Sequence, residues 1–336
     1  MVEYVGGGDS GTGITSIGSG KDYSTIAAWI ASLSDGTYSS GDDIIGELYD
    51  SSYDEAFNIG DAPFSIGGLN SVTLRANSAY KHDGTPDSGV KITYSGSVPD
   101  SSAPYTVSYD SSTYGDYKVK IEDIEFADFN HSADVHVYGF LLSEKTTIMS
   151  RCLVNNFSSN GSSTKRFRLF RQGKPRIQNC MIFNCGKTWG TGGVSANVQA
   201  FNLDNSTAAK VYNSTIYNIF DSSYNTVWGA FYGEYINTII VDAGTCFRLV
   251  SGSSNSNNIS SDSTAPGANS ITNKSAGTLF ISTIQGSEDL HLKGLAAALR
   301  RGLDLGTSYD IQHDIDGYDR DSSVSAWDVG ADQCDA

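Results

Sequence analysis

Short apolar segments recur between Lys118 and Val250, and each carries polar residues at the same two positions. An apolar residue stands two places before the first polar residue of each segment, and another stands three places after it. The first polar positions are Asp123, Ser150, Asn179, Asn213 and Asn237, and the second, five places later, are Asp128, Asn155, Asn184, Asn218 and Asp242. A repeat of about 20–50 residues is typical of a solenoid, in which each unit buries its apolar side against its neighbours.

These segments are rich in Ile, Val, Phe and Thr, and Gly, Ser and Asn separate them, which predicts short strands joined by turns. A second strand is predicted in each interval, and its phenylalanines are expected to stack inside the coil: Phe140, Phe170, Phe201, Phe231 and Phe247. No segment with a helical period links the strands, so we expect a parallel β-helix. Its polar positions are predicted to form ladders, because like side chains about 4.8 Å apart can bond along the stack.

The chain divides by pattern into four regions. Ile26, Trp29, Ile30 and Leu33 line one face of a predicted amphipathic helix that Asp22 or Ser24 would cap. We expect this helix to cover the first coil and an irregular region to close the last one. The predicted regions are a glycine-rich lead (1–16), a capping helix (17–40), the β-helix coils (41–250), and the last coils with a C-terminal cap (251–336).

Charge and cysteine content argue against several classes of function. The chain of 336 residues has a net charge of −16, which argues against binding nucleic acid or an anionic membrane. Its five cysteines lack the paired spacing of a metal site, and most fall in strand segments, so we expect buried, reduced thiols. The N-terminus shows no secretory signal, and Gly6, Gly8 and Gly11 match a dinucleotide-binding motif without the strand and βαβ unit that it needs.

Four segments carry a family resemblance: GKDYSTIAAWIASL (Gly20–Leu33), EDLHLKG (Glu288–Gly294), DIDGYDR (Asp314–Arg320) and WDVGAD (Trp327–Asp332). With the repeated coils between them, they resemble the pectate-lyase-like β-helix superfamily, in particular its phage and environmental branch. The resemblance implies an all-β, right-handed single-stranded parallel β-helix with an N-terminal helical cap and an irregular C-terminal cap. Its members include polysaccharide lyases, glycoside hydrolases, phage tailspikes and non-catalytic virion proteins. The calcium ligands and basic residue of its lyases have no residue-by-residue match here.

Three sets of residues are candidates for site chemistry. Asp314, Asp316, Asp319 and Asp321 offer closely spaced oxygen ligands for Ca²⁺, although a structural role in the terminal cap is the simpler interpretation. His131, Asp134 and His136 lie close in sequence, but a zinc site would need further ligands. Asp123 with Glu122 or Glu125 could supply the carboxylate pair of a glycosidase, but such clustering occurs on one coil alone.

The second strand of each coil is expected to contribute residues to one outer surface. Its outward positions are expected to form a face for a glycan or a protein partner, or an ordinary solvated surface: Arg168, Arg171, Gln199, Asn202, Trp228, Tyr232 and Arg248. Aromatic and arginine side chains on a flat sheet can stack on sugars and bond to them.

The leading hypothesis for function is a non-enzymatic virion structural protein, such as a decoration, fibre or spike component. We expect it to be made in the cytoplasm, to reach the particle surface, and to act as a homo-oligomer, such as a trimer, with other virion proteins. The alternatives are a polysaccharide lyase or glycoside hydrolase of the β-helix type, and a carbohydrate-binding adhesion module. No cofactor other than the Ca²⁺ considered above is expected.

Overall fold

The computed structural model is a right-handed parallel β-helix, which confirms the predicted fold. It describes residues 12–33, 38, 41–59, 69–97, 102–107, 118–131, 136–142, 147–160, 166–171, 173–188, 197–203, 209–222, 226–250, 254–306, 311–320 and 326–334. Seven successive coils each contribute one strand to each of three parallel sheets, because the chain visits the sheets in a fixed order. No helix among these residues is long and apolar enough to cross a membrane.

The first sheet, sheet A, has eight strands, and sheet B follows it in each coil. The strands of sheet A are β1 (Thr12–Ile17), β2 (Asp43–Leu48), β5 (Ser71–Ala76), β8 (Lys118–Glu122), β12 (Thr147–Ser150), β16 (Arg176–Gln178), β19 (Lys210–Tyr212) and β22 (Glu234–Ile236). Those of sheet B are β3 (Ser52–Asp54), β6 (Lys91–Thr93), β9 (Glu125–Ala127), β13 (Leu153–Asn155), β17 (Met181–Lys187), β20 (Thr215–Asp221), β23 (Ile239–Val241) and β25 (Ile259–Ser260), with β10 (Asn130–His131) and β14 (Ser158–Ser159) beside them.

Sheet C carries the second repeated strand of each coil. Its strands are β4 (Phe57–Asn58), β7 (Tyr105–Val107), β11 (His136–Leu142), β15 (Arg166–Arg171), β18 (Asn197–Asn202), β21 (Thr226–Phe231) and β24 (Thr245–Arg248). The remaining elements are α1 (Ile26–Ser32), a short 3₁₀ helix (Ala276–Thr278), and an antiparallel hairpin of β26 (Phe280–Ile284) and β27 (Ser287–Leu292).

The aromatic stack inside the coil is confirmed in part. The rings of Phe140 and Phe170 stack at 4.8 Å between centroids, and those of Phe170 and Phe201 at 5.1 Å. On the next coils Phe201 lies beside Ala230, and Ala230 beside Phe247. The prediction that Phe231 is part of the stack was therefore wrong, because Ala230 takes the inward position and Phe231 faces outward.

The helix α1 covers the first coils, as predicted, with Ile26, Trp29 and Ile30 buried. Its cap differs from the prediction: the Thr25 hydroxyl accepts the N–H of Ala28 at 3.0 Å, whereas Asp22 accepts the hydroxyl of Ser16. Sheet A begins earlier than expected, because Thr12–Ile17 pairs along its length with β2.

The irregular C-terminal region runs alongside the coils. Phe280, Leu290 and Leu292 of the hairpin, with Ile315 and Val329, form one apolar cluster with outward residues of sheet B. The outward members from sheet B are Leu153, Met181, Phe183, Tyr217, Ile239 and Val241. Sheet B is therefore buried on both faces, which explains why its strands lack a clear alternation of apolar and polar residues.

Candidate functional site

The outer side of sheet C carries four arginines and a group of aromatic rings. We call it the arginine–aromatic face and define it by Arg166, Arg168, Arg171, Asn202, Trp228, Phe231, Tyr232 and Arg248. One row across the coils, in strand register, is Arg168, Gln199 and Trp228. The next row is Arg171, Asn202, Phe231 and Arg248. The predicted face is thus brought together on adjacent coils.

Within this face the guanidinium groups lie on aromatic rings. The Arg248 guanidinium lies 4.0 Å from the centre of the Trp228 ring, and that of Arg171 lies 4.2 Å from the Tyr138 ring. Phe231 stacks on Trp228 at 4.8 Å between centroids. Cation–π contacts hold a charge in position without neutralising it, so both arginines keep their capacity to bind an anion.

Trp228 and Gln199 are less accessible than an exposed binding surface would require. Trp228 is 7% exposed and Gln199 is 1% exposed. Gln199 accepts the Nε–H of Arg168 through its side-chain oxygen at 2.9 Å. The accessible groups are Arg166 and Arg248, which are exposed, and the half-buried Arg168, Arg171, Asn202, Phe231 and Tyr232. Trp228 therefore packs beneath the exposed side chains of the face and is not itself available to stack on a ligand.

Tyr232 has a left-handed backbone conformation, with φ of 63°, and Gly233 follows with φ of 89°. A bulky residue with this φ is strained, and such residues cluster at functional sites. The Tyr232 ring lies 4.2 Å from that of Phe231, so the turn places a third ring beside Trp228 and Phe231.

Sequence reasoning missed Arg166 because the predicted strand began one residue later, at Phe167. It missed Phe231 because the strands of sheet C break the two-residue alternation. Leu169 and Phe170 are adjacent, yet both are fully buried in the interior. After these two residues, the positions that face outward are shifted by one along the strand. In β21 the corresponding positions are held by Gly229 and Ala230, which have no long apolar side chain to reveal the shift.

Most of the predicted polar positions are left-handed turn residues, and one coil departs from the predicted set. The turn residues have left-handed φ values at Asp123, Asn179, Asn213 and Asn237, and again five places later at Asp128, Asn184, Asn218 and Asp242. On the coil between Asp123 and Asn179, however, Arg151 and Asn156 hold these positions. The predicted Ser150 and Asn155 are each one residue early and lie in strands β12 and β13.

The candidate carboxylates of one coil separate into two clefts. Glu122 and Asp123 line a cleft of about 380 Å³ on sheet A together with Glu47, Arg75 and Arg151. Asp123 is bound there by Arg151, and Glu47 by Arg75. Both carboxylates of the predicted Glu122–Asp123 pair therefore face a guanidinium, since Glu122 also lies 3.9 Å from Arg151.

Glu125 lies in a different cleft, of about 310 Å³, between sheet B and the C-terminal hairpin. Burial raises the pKa of Glu125, although hydrogen bonds from the Asn155 side chain and the Asp87 backbone oppose this. Glu288 lines the same cleft and accepts the Asn184 side-chain N–H at 2.6 Å. Asp123 and Glu125 consequently do not share one cleft.

The aspartates of the predicted calcium site have different partners. Asp314 is fully buried and accepts the backbone N–H groups of Asp316 and Tyr318, and burial raises its pKa. Asp316 lies 3.1 Å from Nε2 of His291, whereas Asp319 lies 3.0 Å from His313. Asp321 lies outside the described residues. Calcium at these residues stays a prediction.

The histidines near residue 131 occupy separate strands. His131 is buried in β10, and His136 lies on the outer side of sheet C, where its ring is 6.2 Å from that of Tyr138. Asp134 lies outside the described residues. The described pair therefore does not form the close ligand set that zinc requires.

The chain is distantly similar in structure to a known protein. No family model matches the chain, and no curated protein matches it. Solved structures similar to it include two of the pectin methylesterase from Aspergillus niger. Its penultimately deglycosylated form has 14% sequence identity and a TM-score of 0.40, covering 79% of this chain and 86% of the enzyme chain. The deglycosylated form also has 14% sequence identity and a TM-score of 0.40, and it covers 78% of this chain and 85% of the enzyme chain.

Proposed function

We propose that the protein binds an acidic glycan on the arginine–aromatic face, as a non-catalytic attachment module. The single observation that carries the proposal is the set of four arginines without carboxylate partners on one face. Within the described residues, none of Arg166, Arg168, Arg171 and Arg248 lies within 4.0 Å of a carboxylate oxygen. The chain has 38 acidic and 22 basic residues, so a basic face without acidic neighbours is a local exception to its charge.

The electrostatics of these arginines support the proposal. Burial lowers the pKa of Arg168, and the charges of Arg166 and Arg171 lower it further. Like charges held together repel each other, and a bound anion relieves that repulsion. Arginine is suited to this role because its planar group can bind both oxygens of a carboxylate.

Two buried donors on the face also lack acceptors among the described residues. These are Nε–H of Arg171 and Nε1–H of Trp228. A buried donor without an acceptor costs about 1–3 kcal/mol, and a ligand reaches these donors only if the side chains around them move. Phe231 and Tyr232 complete the face with half-buried rings on which a sugar can pack.

The test is binding of the full chain to polygalacturonate, measured by calorimetry at two salt concentrations. The same polymer with its carboxyl groups reduced to alcohols serves as the uncharged control. We expect binding to the acidic polymer alone, with an affinity that falls as salt is raised. The variant Arg171→Gln/Arg248→Gln should bind at least tenfold more weakly, whereas Arg301→Gln, an exposed arginine elsewhere, should bind within about twofold of the unchanged protein.

The aromatic part of the face is tested separately. Tyr232→Ala should weaken binding several-fold, and Tyr318→Ala should not, because Tyr318 is 66% exposed on the C-terminal region. No binding to either polymer, or equal binding by the double arginine variant, would contradict the proposal. Release of new chain ends during the same incubation would contradict its non-catalytic part and favour the lyase or hydrolase alternative.

The biological setting expected from the sequence belongs to the same proposal. We propose a virion structural component whose glycan-binding face serves attachment, assembled as a homo-oligomer with other virion proteins. Light scattering of the purified chain tests this: a defined oligomer supports it, and a monomer at micromolar concentration contradicts it.

A further inference from the structure

A second group of side chains, in the C-terminal region, has the ligand types of a metal centre. His291 lies in β27, and Asp316 and Asp332 lie in the C-terminal region. One ligand atom from each of these three residues lies within 4.8 Å of the other two. An imidazole nitrogen with two carboxylate oxygens is a ligand set that zinc accepts.

One of the three distances between ligand atoms matches that of a tetrahedral zinc site. Zinc bonds of about 2.0–2.1 Å separate neighbouring ligand atoms by about 3.3 Å. Nε2 of His291 and Oδ1 of Asp316 are 3.1 Å apart. Asp332 accepts the backbone N–H of Leu292 through Oδ2, which fixes the carboxylate and leaves its other oxygen for an ion.

The ring of His291 is already oriented for this role. Its Nδ1 lies 2.6 Å from Oδ1 of Asp289, on the side away from Asp316. A carboxylate on the other ring nitrogen is the usual outer partner of a metal-binding histidine, because it fixes the ring and makes Nε2 the free ligand. The alternative occupant of this position is a proton, which would make His291 a cation held between Asp289 and Asp316.

Gly84 of the surrounding chain packs closely against the ligand atoms. A Cβ on Gly84 would lie 2.4 Å from Nε2 of His291 and 2.6 Å from Oδ1 of Asp316, so a side chain there would occupy the site. Charge favours a cation, since Asp314 and Asp328 are also buried nearby and Arg320 is the buried cation among them. Burial raises the pKa of Asp332 to about 6, and the charges of Asp314 and Asp316 act in the same direction.

We infer that His291, Asp316 and Asp332 form a site for a divalent transition-metal ion of the zinc class, with Asp289 orienting the histidine. Lys81 donates to the backbone oxygen of Asp316 at 2.9 Å, so the site lies where the loop that contains Lys81 and Gly84 meets the C-terminal region. An ion here would tie β27 to the C-terminal segments that contain Asp316 and Asp332.

The experiment is titration of Zn²⁺ into the chelator-treated full chain, followed by calorimetry and by thermal unfolding. We expect one ion per chain and a rise in the unfolding temperature. Asp289→Asn should lower the affinity about 10–100-fold without removing a ligand. Asp332→Asn and His291→Gln should lower it further, and circular dichroism will show whether each variant is folded.

The matched control is His313→Gln, which removes a half-exposed histidine that pairs with Asp319 in the same region. It should bind Zn²⁺ like the unchanged protein. Co²⁺ provides a direct readout, because a tetrahedral nitrogen–oxygen site gives visible absorption that the His291→Gln variant should lose. Absence of zinc binding, equal binding by His291→Gln, or a preference for Ca²⁺ over Zn²⁺ would each overturn the inference and leave a proton as the occupant of Nε2.

Discussion

Arg151 binds Asp123 of the preceding coil with both sides of its guanidinium, at 2.7 Å from Nε to Oδ1 and 3.0 Å from the terminal nitrogen to Oδ2. Both residues occupy the same left-handed turn position on successive coils. On later coils this position holds asparagines, and Asn237 donates to Asn213 at 2.8 Å. The step from Asp123 to Arg151 is therefore an ion pair, whereas the step from Asn213 to Asn237 is an amide hydrogen bond.

Replacing Arg151 tests the contribution of this ion pair. Arg151→Ala should lower the free energy of unfolding by about 2–3 kcal/mol, because it leaves the largely buried Asp123 without its cation. Arg151→Asn should cost about 1 kcal/mol, since asparagine tolerates the left-handed turn and can still donate to Asp123. Denaturant unfolding measures both, and an equal loss in the two variants would show that the side-chain bond contributes nothing.

The ladder shows what the sequence could predict. The repeat, the parallel coils and most turn positions follow from spacing, because asparagine and aspartate are the side chains that tolerate a left-handed turn. Arg151 and Asn156 were missed since a search for small polar residues selects Ser150 and Asn155, one place earlier. Arginine at such a position is stabilised by Asp123, a contact between coils that no local pattern reveals.

The arginine–aromatic face was also predicted only in part. The sequence placed six of its eight residues on one surface, but the break in alternation at Leu169 and Phe170, which recurs in β21, hid Phe231. The burial of Trp228 beneath Arg248 is a contact between neighbouring coils. The cluster around His291 combines segments far apart in sequence, so spacing alone could not bring its residues together.

Asn237 has a second role, because it also binds the C-terminal region. Its side chain donates to the carbonyl of Leu303 at 2.8 Å and accepts the Leu303 N–H at 2.7 Å. Asn237→Ala should therefore lower the free energy of unfolding by about 2–4 kcal/mol and speed hydrogen exchange at the Leu303 amide. Asn237→Gly is the control for the turn, since it removes the same bonds without the backbone strain. Unchanged exchange at Leu303 in both variants would contradict the docking role.

Gly186 is required by the close approach of the next coil. A Cβ at this position would lie 2.0 Å from the carbonyl oxygen of Phe220. We expect Gly186→Ala to destabilise the fold by about 3 kcal/mol or more, because backbone must move to admit it. Gly13→Ala, where no atom lies within 4 Å of the added Cβ, should stay within about 0.5 kcal/mol. Chemical denaturation compares the two, and similar stabilities would refute the steric argument.

The five cysteines are free thiols, as predicted, and they differ in their exposure to solvent. Cys152, Cys180, Cys185 and Cys246 are buried, and Cys334 is half-buried. Burial raises the pKa of Cys185 to about 12, which disfavours the reactive thiolate. A thiol reagent at pH 8 should modify about one cysteine per native chain and all five in denaturant. Loss of the fast reaction in Cys334→Ser would identify the site, and rapid labelling of several native thiols would contradict the burial.

His82 makes the fold sensitive to acid. It is 2% exposed, and Nε2 donates to the carbonyl of Arg151 at 2.9 Å while Nδ1 accepts the N–H of Gly84 at 3.2 Å. This arrangement requires the neutral ring. Burial lowers the pKa of His82, and the charge of Asp123 opposes this only in part.

The sign of the pH dependence follows from that lowered pKa. Below the ordinary histidine pKa of about 6.5 the unfolded chain takes up a proton that the folded chain excludes, so stability present above pH 6.5 is lost as the pH falls. One such proton gives a slope of about 1.4 kcal/mol per pH unit. We expect this slope as the difference between the unchanged protein and His82→Gln, which can keep the bond to Arg151, between pH 6.5 and 5. The raised pKa of Asp332, about 6, acts in the opposite sense there in both proteins, so the comparison removes it. Equal slopes in the two proteins would show that another group carries the acid sensitivity.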